Sequence, residues 1–197
     1  MKRRFSRSSI QNRVSGFTLI EVLLALAIIM TLAAVSWTPL LTSWSEHRLK
    51  AATEDVRSVL AGTRIRSLEN DTIWQFRYEP GGDKYVRIPY KQTGEESDTL
   101  DGQMSLVLPE GLTFSEEDRL TTATREPLSA KDLEGLPNSG ELNGVSWSAP
   151  ILFFPDGSAT AASFQVIDEQ AGERTVTLRD LTGGVSVSRG NLGDEEL

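Results

Sequence analysis

Three features of the 197-residue sequence predict an α+β fold. An uncharged, apolar run of 24 residues, Val22 to Ser45, has the character of a long helix. Glu46 to about Leu68 continues that helix with apolar residues at three- and four-residue steps. Beyond Asn70-Asp71 the pattern changes to short alternating segments divided by Pro, Gly and Asp turns, the signature of antiparallel strands. A helix followed by strands places the β-sheet over the helix's apolar stripe.

The first sixteen residues are a separate element. They hold Lys2, Arg3, Arg4, Arg7 and Arg13 and no acid. Of the 20 basic residues in the chain, 15 therefore remain after Gly16, against 28 acidic ones, a balance of −13. Basic residues ahead of an apolar span stay cytoplasmic, so the acidic remainder is expected across the membrane, in the periplasm of a two-membrane bacterium. A secretory signal peptide is cut after its apolar region, whereas here the small residue, Gly16, precedes it.

Residues 17–45 form the second element, a transmembrane helix. As a helix the run from Val22 to Ser45 is about 36 Å long at ~1.5 Å per residue, enough for a ~30 Å hydrocarbon core. Glu21 is the anomaly, because a carboxylate in a membrane helix is costly and a plain anchor has no use for it. Trp37 and Trp44 are seven apart and share a helix face, which suits a membrane interface or packing on neighbouring chains. Pro39 removes one backbone hydrogen bond and is expected to loosen the helix there.

Residues 46–70 are the amphipathic continuation. Leu49, Ala52, Val56, Val59, Leu60 and Thr63 make its stripe, flanked by Arg48, Lys50, Asp55, Arg57 and Arg66. Glu46 precedes Lys50 by four, a favourable helical pair.

Residues 71–190 read as a β-rich domain. Ile73 to Tyr78 and Tyr85 to Tyr90 flank Pro80-Gly81-Gly82-Asp83 as a hairpin. Residues 91–103 read as an acidic loop, and Met104 to Leu108 as a short strand. Residues 115–144 read as a long insertion with a helical turn around Ala130 to Leu133, and Val145 to Trp147 as the start of a strand. Ile151 to Phe154 is an apolar strand turned by Pro155-Asp156-Gly157. Ser163 to Ile167 and Thr175 to Leu178 form a second hairpin, and Val185 to Ser188 a last strand. Residues 191–197 are an acidic tail.

Gly16-Phe17-Thr18-Leu19-Ile20-Glu21 followed by the apolar run resembles the type IV prepilin class, which includes the pseudopilins of type II secretion. The resemblance implies a pilin-like fold and a cut between Gly16 and Phe17 by a membrane-embedded prepilin peptidase, with N-methylation of Phe17. It also implies that Glu21 meets the terminal amine of a neighbouring subunit and sets filament register. The chain departs from related pilins where they often carry a glycine before a proline: Met30 occupies the glycine's place and the proline falls one residue late. Ile151-Leu-Phe-Phe-Pro-Asp-Gly-Ser158 and Leu181-Thr-Gly-Gly-Val-Ser-Val187 resemble the GspH/FimT branch of minor pseudopilins and minor pilins.

No catalytic set is apparent, so the chain is read as no enzyme. His47 is the single histidine and there is no cysteine, which leaves no triad, no thiol metal site and no disulfide. Glu116, Glu117 and Asp118 offer carboxylates but lack EF-hand spacing. No metal and no cofactor is expected. The acidic balance argues against nucleic acid.

The resemblance implies a structural minor pseudopilin of a type II secretion system, held in the inner membrane by a single pass. Its partners would be prepilin peptidase, other pseudopilins and the inner-membrane assembly platform. The rival is a FimT-like minor pilin acting in pilus initiation or DNA uptake. A DNA-binding tip wants basic residues, yet from residue 151 onward Arg174, Arg179 and Arg189 are outnumbered by acids. A membrane-anchored periplasmic enzyme or binding protein is the reading from another class.

Overall fold

The computed structural model describes residues 17–91, 102–116 and 128–190; within the first stretch the side chains of residues 34–43 are outside the description. The leader with Gly16, most of the 91–103 loop, Glu117 and Asp118, the side chains of Trp37 and Pro39, and the 191–197 tail therefore lie outside the described residues. Helix α1 runs Leu19–Asn70 without a break at Pro39. The chain divides into two compact units, Met1–Leu41 and Thr42–Leu197.

In the first unit the described apolar side chains stand open. Phe17, Leu19 and Ile20 are exposed, as are Val22, Leu23, Leu24, Leu26, Ile28, Ile29, Met30 and Leu32. These positions go round the whole helix circumference. A helix apolar on all sides belongs in a bilayer or a bundle of other helices, since water would charge for every uncovered side chain.

In the second unit the helix's stripe is buried as its spacing predicts. Leu49, Ala52, Val56 and Leu60 are almost fully covered, Val59 is half-buried, and Thr53, Thr63 and Ser67 continue the covered face toward Asn70. The buried hydroxyls are satisfied locally: Thr53 Oγ1 donates to Leu49 O at 2.6 Å and Thr63 Oγ1 to Val59 O at 2.7 Å. The helix stops at Asn70, and Asp71 follows in a left-handed conformation, φ 49°.

The strands form two antiparallel sheets rather than one. β1 (Trp74–Tyr78), β2 (Lys84–Pro89), β3 (Met104–Val107) and β5 (Ile151–Phe153) make the first, ordered β3-β2-β1-β5. β4 (Leu112–Phe114), β6 (Ala162–Asp168), β7 (Gly172–Leu178) and β8 (Val185–Arg189) make the second, ordered β4-β6-β7-β8. Both predicted hairpins form: Tyr78 pairs with Tyr85 across one turn and Asp168 with Gly172 across the other. The split arises at β4. Its three residues leave the first sheet to pair with β6, while Phe114 N donates to Gly82 O and holds β4 against the first hairpin's turn.

An aromatic cluster joins the two sheets under the helix. Phe164 stacks on Tyr78 at 4.8 Å and lies 6.0 Å from both Phe76 and Phe114. The first sheet is also covered on its far face. Val86 and Ile88 pack there with Leu133, Leu136, Leu142 and Trp147, all buried. Residues 128–147 are therefore a cover for the sheet rather than a free insertion. Residues 130–135 form turns and the short helix α2 comes later, at Ser139–Leu142. The predicted strand at Val145 to Trp147 is irregular chain instead: Trp147 turns inward to the second cluster, and only Ser148, bonded to Tyr78 through N and Oγ, runs beside β1.

Candidate functional site

The two candidate regions are the start of α1 and the set of contacts that fixes the helix in the head unit. At the start, Thr18 is the helix N-cap. Its carbonyl accepts from Val22 N at 3.2 Å and its Oγ1 from Glu21 N at 3.3 Å. Thr18 and Glu21 thus have the Thr-x-x-Glu spacing of a capping box, with the acid in the first turn, where the helix dipole favours negative charge. The signal is present in the sequence itself, as Thr18 and Glu21 three residues apart ahead of an apolar run. Phe17 precedes the cap and is almost wholly exposed. Gly16 lies outside the described residues, so the structure does not bear on the bond between Gly16 and Phe17.

Among the described residues no helix is long and apolar enough to cross a membrane. The described side chains of the leading segment end at Ala33, short of the end of the apolar run. Trp44, just past the undescribed side chains, is exposed.

In the head unit, polar contacts fasten the Thr42 end of the helix to the second sheet. Arg48 Nη2 meets Asp168 Oδ2 at 2.6 Å, and the Asp168 side chain is only 1% accessible. Asp168 Oδ1 also accepts from Gln170 N and Ala171 N at 2.8 and 3.1 Å. Burial alone would push this carboxyl up. The Arg48 hydrogen bond, the two backbone donors and the Arg48 charge outweigh it and hold the group below the usual carboxylate range. Ser45 Oγ bonds Gln170 Oε1 at 3.0 Å. Glu46 pairs with Arg189 of β8, so its partner is long-range rather than Lys50.

The far end of the helix is held by turns. Arg64 Nε donates to Gly157 O at 2.9 Å, and Ser67 Oγ to Phe154 O at 3.1 Å. Gly157 and Gly183 both have positive φ, and a Cβ on Gly183 would stand 3.0 Å from Gly157 O and 2.8 Å from Arg64 Cδ. The Pro-Asp-Gly-Ser and Thr-Gly-Gly segments thus converge on Arg64, which gives them a structural reason.

The residues considered for chemistry are not brought together. His47 is exposed on the helix and Glu116 is exposed beyond β4. Among the described residues no group of three His, Asp or Glu stands close enough to hold one cation. Between the helix and β3 lies a cleft of about 330 Å³ lined by Ala52, Asp55, Val59, Tyr85, Leu106 and Leu108 among others. Burial, with Asp55 nearby, pushes the Tyr85 hydroxyl up to about 12, so it stays a neutral phenol.

The start of α1 thus combines a capped first turn with apolar side chains that are open on all sides through Leu32. Residues 11–37 match the family model of the prokaryotic N-terminal methylation motif, so the chain carries the N-terminal signature of prepilin-type proteins. The segment includes Gly16, Phe17 and Glu21. No curated protein matches the sequence as a relative. Among solved structures the chain is similar to the minor pseudopilin EpsH from the type 2 secretion system of Vibrio cholerae, at 10% identity and a TM-score of 0.49, covering 75% of this chain and 99% of that one. It is also similar to the type IV minor pilin FimU of Pseudomonas aeruginosa, at 11% identity and a TM-score of 0.45, covering 73% of this chain and 90% of that one.

Proposed function

We propose that this chain is a structural minor pseudopilin of a type II secretion system. The observation that carries the reading is the methylation motif over residues 11–37, together with a helix from Leu19 whose described apolar residues are open on every side. Prepilin peptidase removes residues 1–16, and Phe17 becomes the methylated N-terminus. Residues 17–45 hold the subunit in the inner membrane, residues 46–70 carry the helix into the head, and the head, residues 71–190, stands in the periplasm. The subunit then joins other pseudopilins on the inner-membrane assembly platform. Its work is assembly, with no reaction of its own and no cofactor.

Glu21 has two parts in this account. In one chain it stands in the helix's first turn, where its backbone N donates to Thr18 Oγ1 and its charge suits the helix dipole. In a filament its carboxylate meets a neighbouring subunit's terminal amine, an attraction far stronger in an apolar setting than in water. Substitution separates the two. Glu21→Gln keeps a residue that serves in a capping box but removes the charge. The expected result is a variant that inserts and is cut normally yet fails to crosslink to neighbouring pilin-type subunits in cells. Crosslinking at the native level would mean that the Glu21 charge is not needed between subunits. The identity of the crosslinked neighbours separates a secretion pseudopilus from a type IV pilus.

A further inference from the structure

β3 is the outer strand of the first sheet, and among the described residues it pairs with β2 alone. Its four residues, Met-Ser-Leu-Val, include no charge and no proline, the devices that usually keep an edge strand from pairing. Leu106 stands opposite Tyr85 in the ladder and shares its helix-facing side. Val107 alternates to the other face and is 58% exposed.

The cleft of about 330 Å³ lies between this edge and the helix, with room for one long side chain. Ala52, Val59, Leu106 and Leu108 give it an apolar floor. The Tyr85 ring makes a fixed wall, held by Phe76 and Phe114 with ring centres 5.8 Å away in each case. Asp55 and Ser58, both exposed, stand three residues apart on one helix face at the rim. The Asp55 carboxylate is near enough to act on the Tyr85 hydroxyl, so both groups bear on the same space. Among the described residues lining the cleft, Asp55 carries the one charge, and it is negative. Residues 92–101, which lead in sequence from β2 to β3, hold four acids and no base, so the sequence around this edge is anionic as well.

We propose that the β3 edge and the cleft dock an extended, basic segment of a partner protein, which adds as a strand to β3 and places a lysine or arginine side chain in the cleft against Asp55. Strand addition gives affinity through main-chain hydrogen bonds, and a pocket for alternate side chains gives choice of sequence. The apolar floor takes the aliphatic stem while the rim takes the charge. The inference stands on the head alone and is independent of the filament reading.

The test uses the full chain in detergent micelles at low salt, with 15N-labelled leucine; Leu106→Val assigns the Leu106 amide resonance. The probes are the peptide acetyl-Thr-Val-Lys-Val-Thr-amide, whose lysine and valines point to opposite faces of a strand, and the same peptide with norleucine for lysine. The expected result is a saturable shift of the Leu106 resonance with the lysine peptide. Binding should be about threefold weaker for the norleucine peptide and for Asp55→Asn, the scale of one partly exposed charge pair. Ser58→Trp, at an exposed helix position, fills the mouth of the cleft and should abolish the shift. n-Butylamine, which has the stem and the charge without a backbone, should bind more weakly than the peptide. No saturable shift, equal binding of the two peptides, or binding unchanged by Asp55→Asn or Ser58→Trp overturns the proposal. So does n-butylamine binding as tightly as the peptide, which would make this a site for small amines. A Leu106 shift that follows protein concentration without peptide would make a second copy of the chain the occupant, and overturns it too.

Discussion

Phe164→Ala is expected to destabilise the head unit by about 3–5 kcal/mol, the range for deleting a large buried aromatic ring. Phe164 is 2% exposed and contacts Phe76 and Tyr78 of the first sheet and Phe114 of the second. Removing it opens a cavity where the two sheets and the helix meet, and three rings lose a partner at once. Phe164→Leu keeps most of the volume and should cost less, about 1–2 kcal/mol. Urea unfolding of the full chain in detergent, followed by near-ultraviolet circular dichroism, measures both. A loss under about 1 kcal/mol for the alanine variant would mean that the sheets do not share one core.

Asp168→Ala has the next largest expected effect. It removes the acceptor of Arg48, Gln170 N and Ala171 N together, at a site where Arg48 Nε is already buried without a partner among the described residues. Breaking a buried pair from one side leaves the other charge uncompensated, and Arg48, one-third accessible, recovers part of that from water. A loss of about 2–4 kcal/mol at neutral pH follows. The pH dependence has a definite sign. The folded-state pKa of Asp168 lies below its unfolded value, so its contribution is fully present above the unfolded pKa of about 3.9 and is lost as pH falls through the folded value. The native protein should therefore lose stability below about pH 4 more steeply than Asp168→Asn, and the two curves should approach each other in acid. Parallel curves would mean that the Arg48–Asp168 pair is not what fastens the helix to the β6–β7 turn.

The helix stripe and both hairpins were legible in the sequence because each rests on local periodicity. Leu49, Ala52, Val56 and Leu60 repeat at helical spacing, and turn residues separate the alternating strands. What was not legible depends on distant contacts. β4 is three residues, Leu-Thr-Phe, too short for a pattern, and its choice of β6 divides the strands into two sheets. Residues 128–147 have weak periodicity because they cover Val86 and Ile88 with a few separated side chains, Leu133, Leu136, Leu142 and Trp147, rather than a continuous face. Arg77 and Arg87 are buried, against the expectation that charged strand residues face water, because each strand of that hairpin is covered on both sides. Glu46 chose Arg189, 143 residues away, over the lysine one turn along its own helix.

Gly16, Phe17 and Glu21 were legible as a motif because their order and their place before an apolar run are local, and residues 11–37 match the methylation motif. The structure added Thr18 as the cap. The Glu21 backbone N is one of the donors that Thr18 satisfies.

The most direct test of the central claim is the intact mass and N-terminal sequence of the protein purified from membranes of cells that contain prepilin peptidase. The account predicts a chain that begins at Phe17, lacks residues 1–16 and carries one added methyl group on its terminal amine. It also predicts the uncut chain when the peptidase gene is deleted. A membrane-inserted protein that keeps residues 1–16 in the presence of active peptidase would contradict it.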